Sequence, residues 1–172
     1  MWFVSLFFLL SNCSYIEDLE NPNLHVKKKA IYILGEKQKK LVVGKLLKKM
    51  AVPKLLTLLE HPSEDIVVET ITALGKIKSK EATNKLLPFL DSDNREIKLK
   101  AIESIGMIGD VRGVEPLISV LTTTNDIKIR IVSLWALGSI GDRKSIPILI
   151  KLKRDKNKFV RYNAEHALSM IK

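Results

Sequence analysis

The chain has one cysteine, Cys13, so no internal disulfide framework is open to it. Its three histidines, His25, His61 and His166, have no ligand spacing to one another or to the cysteine, and no zinc pattern results. Aromatic residues make up only 6% of the sequence, and eight glycines and six prolines in 172 residues exclude collagen-like and low-complexity classes. The one long apolar run, Met1 to Leu10, is too short to cross a bilayer, which takes about 20 residues. No glycine-rich loop cradles a phosphate, because most of the glycines belong to a recurring phrase. No catalytic constellation is visible, and no cofactor is implied.

What is present is aliphatic and basic. Hydrophobic residues reach 46%, mostly Leu and Ile, which suits helices packed on helices. The net charge is +10, unevenly spread. Residues 26–54 hold ten Lys against one Glu, residues 111–172 carry twelve bases against five acids, and residues 1–25 and 55–110 are each net acidic. Such blocks fit nucleic acid, an anionic membrane surface or plain solubility.

The organising phrase is Ala136-Leu137-Gly138-Ser139-Ile140-Gly141-Asp142. It recurs as Ile105-Gly106-Met107-Ile108-Gly109-Asp110, as Ala73-Leu74-Gly75-Lys76-Ile77, as Ile33-Leu34-Gly35, and without its glycine as Ala167-Leu168-Ser169-Met170-Ile171. Nine residues before each marker glycine (or Ser169) stand Val26, Ile66, Ile97, Ile129 and Val160, spaced 40, 31, 32 and 31 apart. Counting these as offset 0, offset 4 is always small (Ala30, Thr70, Ala101, Ser133, Ala164) and offset 8 always Leu or Ile. Offsets 0, 4 and 8 form one helical stripe, and its small central residue lets a second helix come close. Four glycines at offset 9 point to a repeated tight contact or a repeated helix end, and Gly109-Asp110 and Gly141-Asp142 read as the stop that follows.

Between these B helices lie A helices, around Val52 to Leu59, Asn84 to Leu90, Val114 to Leu121 and Ile146 to Leu152. Pro53, Pro116 and Pro147 read as first-turn prolines, while Pro88 falls later and is expected to kink its helix. Asp93 and Glu96 have capping-box spacing. The first spacing, 40, marks an insertion near residues 36–50, whose lysines and apolar residues suggest an added amphipathic helix. Lys37, Lys39, Lys40, Lys45, Lys48 and Lys49 are the candidates for contact with an anionic surface; the plainer alternative is a solvated Lys face over a packed Leu/Val stripe.

A two-helix unit of about 31 residues carrying Ile129-Arg130, Ser133, Ala136-Leu137-Gly138 and Ile140-Gly141-Asp142, and again Val160-Arg161, Ala164 and Ala167-Leu168, resembles the short HEAT-like repeats of phycobilisome lyases. The resemblance spans residues 24–172. It implies an all-α, right-handed α-solenoid of about four and a half antiparallel helical hairpins, with the B helices on the concave side. Its functions range over lyase subunits, adaptors and scaffolds, so it implies a fold more than an activity.

The N-terminus resembles a bacterial lipoprotein signal. Leu10-Ser11-Asn12-Cys13 matches a lipobox, with Asn12 larger than usual and no Lys or Arg ahead of the apolar run. The resemblance implies a signal peptide over 1–12, a lipid on Cys13, a short acidic tether over 13–23 and the repeat domain over 24–172. The protein is then expected in the bacterial envelope, lipid-anchored on the periplasmic side or at the outer membrane; if the N-terminus is instead an apolar helix packed on the domain, the protein is cytoplasmic.

The functional expectation is a non-enzymatic, protein-binding scaffold or adaptor anchored to an envelope membrane, with no metal and with an unnamed protein as partner. Offsets 3 and 6 of the B helices lie opposite the core stripe. There, Val132 and Trp135, with Tyr162 from the next helix, form an apolar-aromatic patch edged by Lys100, Glu103 and His166, the arrangement of a binding hot spot. The alternative is that Trp135 simply packs between adjacent B helices. Two other functions stay open. One is a lyase-like accessory subunit. The other is a cytoplasmic, glycosylase-like protein holding nucleic acid in a basic groove, with Trp135 and Glu103 facing it; most lysines, however, cluster in 26–54 rather than around that pair.

Overall fold

The computed structural model describes residues 14–36 and 41–171, with side chains for all of these except 41–48. The helices are α1 (Leu24–Glu36), α2 (Leu41–Leu58), α3 (Glu64–Ile77), α4 (Thr83–Leu86), α5 (Arg95–Ile108), α6 (Val114–Thr123), α7 (Ile127–Ile140), α8 (Ile146–Leu152) and α9 (Lys158–Met170). Short 3-10 turns join several of them, and no strand occurs among the described residues. The fold is all-α, of the helical-repeat solenoid class expected from the repeats. The chain divides into two compact units, Met1–Ser79 and Lys80–Lys172.

In the first unit α1 packs along α3, and α2 against α3. The start of the described chain is not a free tether. Ile16 and Leu19, three residues apart on one helical face, are buried at 5% and 2% exposure, and Lys54 reaches Glu20. The expected separate helix over the insertion is not formed either: α2 runs unbroken from Leu41 to Leu58 with Pro53 inside it. Pro53 removes one backbone donor in mid-helix, and its ring is exposed rather than wedged in the core.

In the second unit the B helices α5, α7 and α9 stack side by side, with α6 on α7 and α8 on α9. The core is the predicted stripe. Ala101, Ser133 and Ala164 at offset 4 are completely buried, as are Ile105 and Leu137 at offset 8. The offset-9 glycines mark close approaches. A Cβ on Gly106 would lie 2.8 Å from both Cα and Cβ of Ala136, and one on Gly138 would lie 2.8 Å from Cα of Ala167. In the first unit Gly35 makes the equivalent, looser approach to Ala73. These three pairings are the same: offset 9 on one helix against offset 7 on the next.

Gly109 and Gly141 end α5 and α7 in the left-handed conformation, φ 71° and 74°. The corresponding residue after α3 is Lys78, which takes the same conformation at φ 53°. The N-cap of α5 is Asn94, not Asp93: the Asn94 Oδ1 accepts from the N–H of Glu96 at 2.9 Å and of Ile97 at 3.2 Å. Asp126 and Asn157 cap α7 and α9 in the same way. Pro88 does not kink a helix; α4 stops at Leu86 and the chain continues as a 3-10 turn over Leu87–Asp91.

Candidate functional site

The second unit carries an open groove of about 370 Å³ lined by Glu103, Met107, Ile131, Val132, Trp135 and Asn163. These residues come from α5, α7 and α9. The Gly106 to Ala136 contact sets the groove floor by bringing two helix backbones together. Trp135 is half-buried. Its ring atom Cζ3 would touch a Cβ placed on Gly106 at 2.9 Å, so one edge packs over the glycine while the ring lines the groove. Trp135 thus packs against the neighbouring helix with one edge and lines the groove with its ring. The groove offers an aromatic ring, a thioether and two branched aliphatics, with a carboxylate and an amide as polar groups.

The polar groups are held in place. Lys100 Nζ donates to Glu103 Oε2 at 2.9 Å, one turn of α5 away. Asn163 Nδ2 donates to the Phe159 carbonyl at 2.8 Å. A second recess of about 550 Å³ shares Glu103 and adds Arg95, Lys100 and Lys128, so the apolar groove continues into a charged one.

Of the six residues expected at a binding patch, Glu103, Val132 and Trp135 line the apolar groove and Lys100 borders it through Glu103. Tyr162 and His166 are exposed on α9 but do not line it. Met107 and Ile131 were missed. Met107 stands at offset 10, on the same side as offsets 3 and 6, so the helical wheel carries its signal. Ile131, at offset 2, also lies opposite the core stripe at about 100° per residue, so the same wheel carries its signal. Lys37, Lys39, Lys40 and Cys13 lie outside the described residues, as do the side chains of Lys45 and Lys48; Lys49 is exposed.

The perturbed acids are structural. Arg112 holds the Asp110 carboxyl down to about 2, with its Nε and Nη2 on the two oxygens; Thr83 donates to the same carboxylate and Arg112 also reaches the Lys80 carbonyl. The Arg95 guanidinium lowers Asp126 to about 2, and Arg130 lowers Asp155. Each sits at a turn or helix start, where it also accepts backbone N–H groups. Among the described residues no group of His, Cys, Asp and Glu has the arrangement of a metal site, and no helix is long and apolar enough to cross a membrane.

Comparison with solved structures finds the same architecture. The complex of CpcE and CpcF of phycocyanin lyase from Nostoc sp. PCC7120 is similar with a TM-score of 0.73 and 22% identity; the match covers 92% of this chain but only 64% of that one. An engineered protein matches with a TM-score of 0.66 and 22% identity over 93% of this chain and 78% of its own. A computationally designed armadillo repeat protein for modular peptide recognition matches with a TM-score of 0.64 and 19% identity over 92% and 81%. No curated protein matches the sequence. The model of HEAT repeats matches residues 15–106, 52–135 and 114–172, which together span nearly the whole chain, and with the repeated Gly–Ala contacts this makes the protein a member of the HEAT repeat family.

Proposed function

We propose that the protein is a non-enzymatic scaffold that binds a segment of another protein along α5, α7 and α9. The observation that carries this is the groove itself: a half-buried Trp135 between Met107 and Val132, bordered by fixed polar groups and continuing into a charged recess. Aromatic anchors in a partly desolvated pocket with a polar rim are where binding energy concentrates, and stacked repeats present such side chains in a row. A chain of this fold made for modular peptide recognition supports an extended peptide as the partner segment. The depressed carboxylates support binding over catalysis, since each is already committed to an arginine.

The sequence at Leu10-Ser11-Asn12-Cys13 supports the further proposal that a lipid on Cys13 holds this scaffold on a bacterial envelope membrane. A second reading, a lyase-like accessory subunit acting in complex with another chain, draws on the likeness to the CpcE–CpcF complex.

Selection of peptides from a display library on the full chain tests the first reading. Selected peptides should bind wild type, lose about tenfold or more on Trp135→Ala and Met107→Ala, and be unaffected by Lys85→Ala, an exposed site away from the groove. Selected peptides that bind all variants alike would overturn it. Mass spectrometry of the N-terminus from native membranes tests the anchor: an acylated Cys13 is expected, and a chain still beginning at Met1 overturns it.

A further inference from the structure

The end of the second unit carries a surface that the peptide-binding reading does not use. Between Lys151 and Arg161 the chain holds six bases, Lys151, Lys153, Arg154, Lys156, Lys158 and Arg161, and one acid, Asp155. That acid is turned inward. Its Oδ2 accepts from Arg130 Nη2 at 2.6 Å, and both side chains are nearly buried, at 12% and 14% exposure. The one carboxylate in the run is therefore committed to a base on α7, although it also lines the recess beside the turn. All six bases are exposed. Lys151, Arg154 and Lys156 make no ion pair among the described residues, and Lys153 meets Glu165 only at 3.7 Å, both well solvated.

Large apolar side chains stand among these bases. Ile150, at the end of α8, is 56% exposed, and Phe159, in the first turn of α9, is 55% exposed. They flank the turn over residues 153–157 from its two sides. Arg161 braces that turn from α9, donating to the carbonyls of Asp155 and Lys156. Beside it lies a recess of about 630 Å³ lined by Ile150, Lys151, Leu152, Arg154, Asp155 and Lys156. An exposed isoleucine and phenylalanine are unfavourable in water and favourable at the acyl boundary of a bilayer, and the bases around them suit anionic headgroups. Single-stranded nucleic acid, the other polyanion that basic and aromatic residues attract, needs ring faces free for stacking. Here Lys158 Nζ lies 5.2 Å over the Phe159 ring, and the second apolar residue is aliphatic.

We propose that the α8–α9 turn, with Ile150 and Phe159, docks on the surface of an anionic lipid bilayer. The contact is independent of any lipid on Cys13 and of the lysines in 37–49.

The test is co-sedimentation of the full chain with neutral phosphatidylcholine vesicles and with vesicles that also contain phosphatidylglycerol. The readout is the salt-sensitive excess of binding to the anionic vesicles, which an N-terminal anchor does not change. Arg154→Glu/Lys156→Glu/Lys158→Glu should lower that excess by about a hundredfold, given what each base contributes near such a surface. Lys80→Glu/Lys85→Glu/Lys144→Glu, all exposed and equal in net charge change, should lower it severalfold at most. Ile150→Ser/Phe159→Ser, which keeps every charge, should also weaken binding. Equal loss in the two charge variants would reduce the effect to net charge and overturn the proposal. So would a patch variant that loses binding to a single-stranded oligonucleotide while holding vesicles like wild type.

Discussion

Replacing Gly106 by alanine adds one methyl group where two helix backbones meet. The local preference of the helix favours the change by about 1 kcal/mol, because glycine is the poorer helix former. The packing opposes it. The new Cβ would lie 2.8 Å from Cα and Cβ of Ala136 and 2.9 Å from Cζ3 of Trp135. Neither Ala136 atom can rotate away, since one is backbone and the other is fixed to it, and the indole edge is a rigid ring. Relief requires α5 and α7 to separate. Overpacking of this kind costs roughly 1–3 kcal/mol or more, and with no flexible neighbour to yield, the upper part of that range applies. The net expectation is a loss of about 1–2 kcal/mol, or several degrees in midpoint for a chain of this size. Urea denaturation followed by circular dichroism measures it, and Trp135 emission should move with it. Gly138→Ala should behave similarly, with Ala167 Cα at 2.8 Å, whereas Gly35→Ala, whose nearest atoms lie at 3.1 and 3.3 Å, should be close to neutral. A Gly106→Ala variant as stable as wild type, or a Gly35→Ala variant that is the worst of the three, would refute the reasoning.

Lys78→Gly should stabilise the protein by about 1 kcal/mol, since Lys78 holds the left-handed conformation that Gly109 and Gly141 supply elsewhere; a lower denaturation midpoint would contradict this. Ser133→Ala should stabilise by about 1 kcal/mol, because the Ser133 hydroxyl is fully buried with no hydrogen-bond partner among the described residues; destabilisation in the same urea assay would show that the hydroxyl is satisfied. Asp110→Ala should cost about 2 kcal/mol at neutral pH through the lost turn cap and the lost acceptor for Arg112 and Thr83. The Asp110 carboxyl sits at about 2 when folded against an ordinary 3.8, so its contribution is complete above about pH 4 and lost as pH falls through 2. The gap between Asp110→Ala and wild type should therefore close over that interval, and a gap that persists below it would break the linkage. Glu165→Leu should change stability by less than about 0.5 kcal/mol, because Glu165 is exposed at the offset where Ile31, Ile71, Ile102 and Leu134 are buried; a core-sized loss measured by urea would show it is not.

The repeat period and the small-residue stripe were legible in the sequence, because each depends on spacing along one helix; for the marker glycine the spacing left a tight contact and a helix end both open, and the approach to the neighbouring helix decides between them. Caps were legible only to within a residue. Asp93 and Asn94 are both good capping residues, and backbone geometry chose Asn94. Pro53 misled because proline marks a first turn only where the helix does not already extend behind it, and here α2 does. For the groove, residues on the outer face of each B helix could be listed, but Ile131 and Tyr162 share offset 2 and only Ile131 lines the groove, a difference that depends on three-dimensional contacts.

The B helices of the second unit are fastened differently at their two ends. Near the C-terminal ends, Gly106 and Gly138 bring backbone against backbone with no slack. At the N-terminal ends the links are long side chains, Arg95 to Asp126 and Arg130 to Asp155. Strain applied across the row is thus expected to open it as a fan, pivoting at the glycines while the ionic struts stretch, and the more exposed strut, Arg95 to Asp126, should soften with added salt. The apolar groove, with Met107 and Trp135 beside the pivot, would keep its width under such motion, while the charged recess around Arg95, Lys100 and Lys128 would do the breathing.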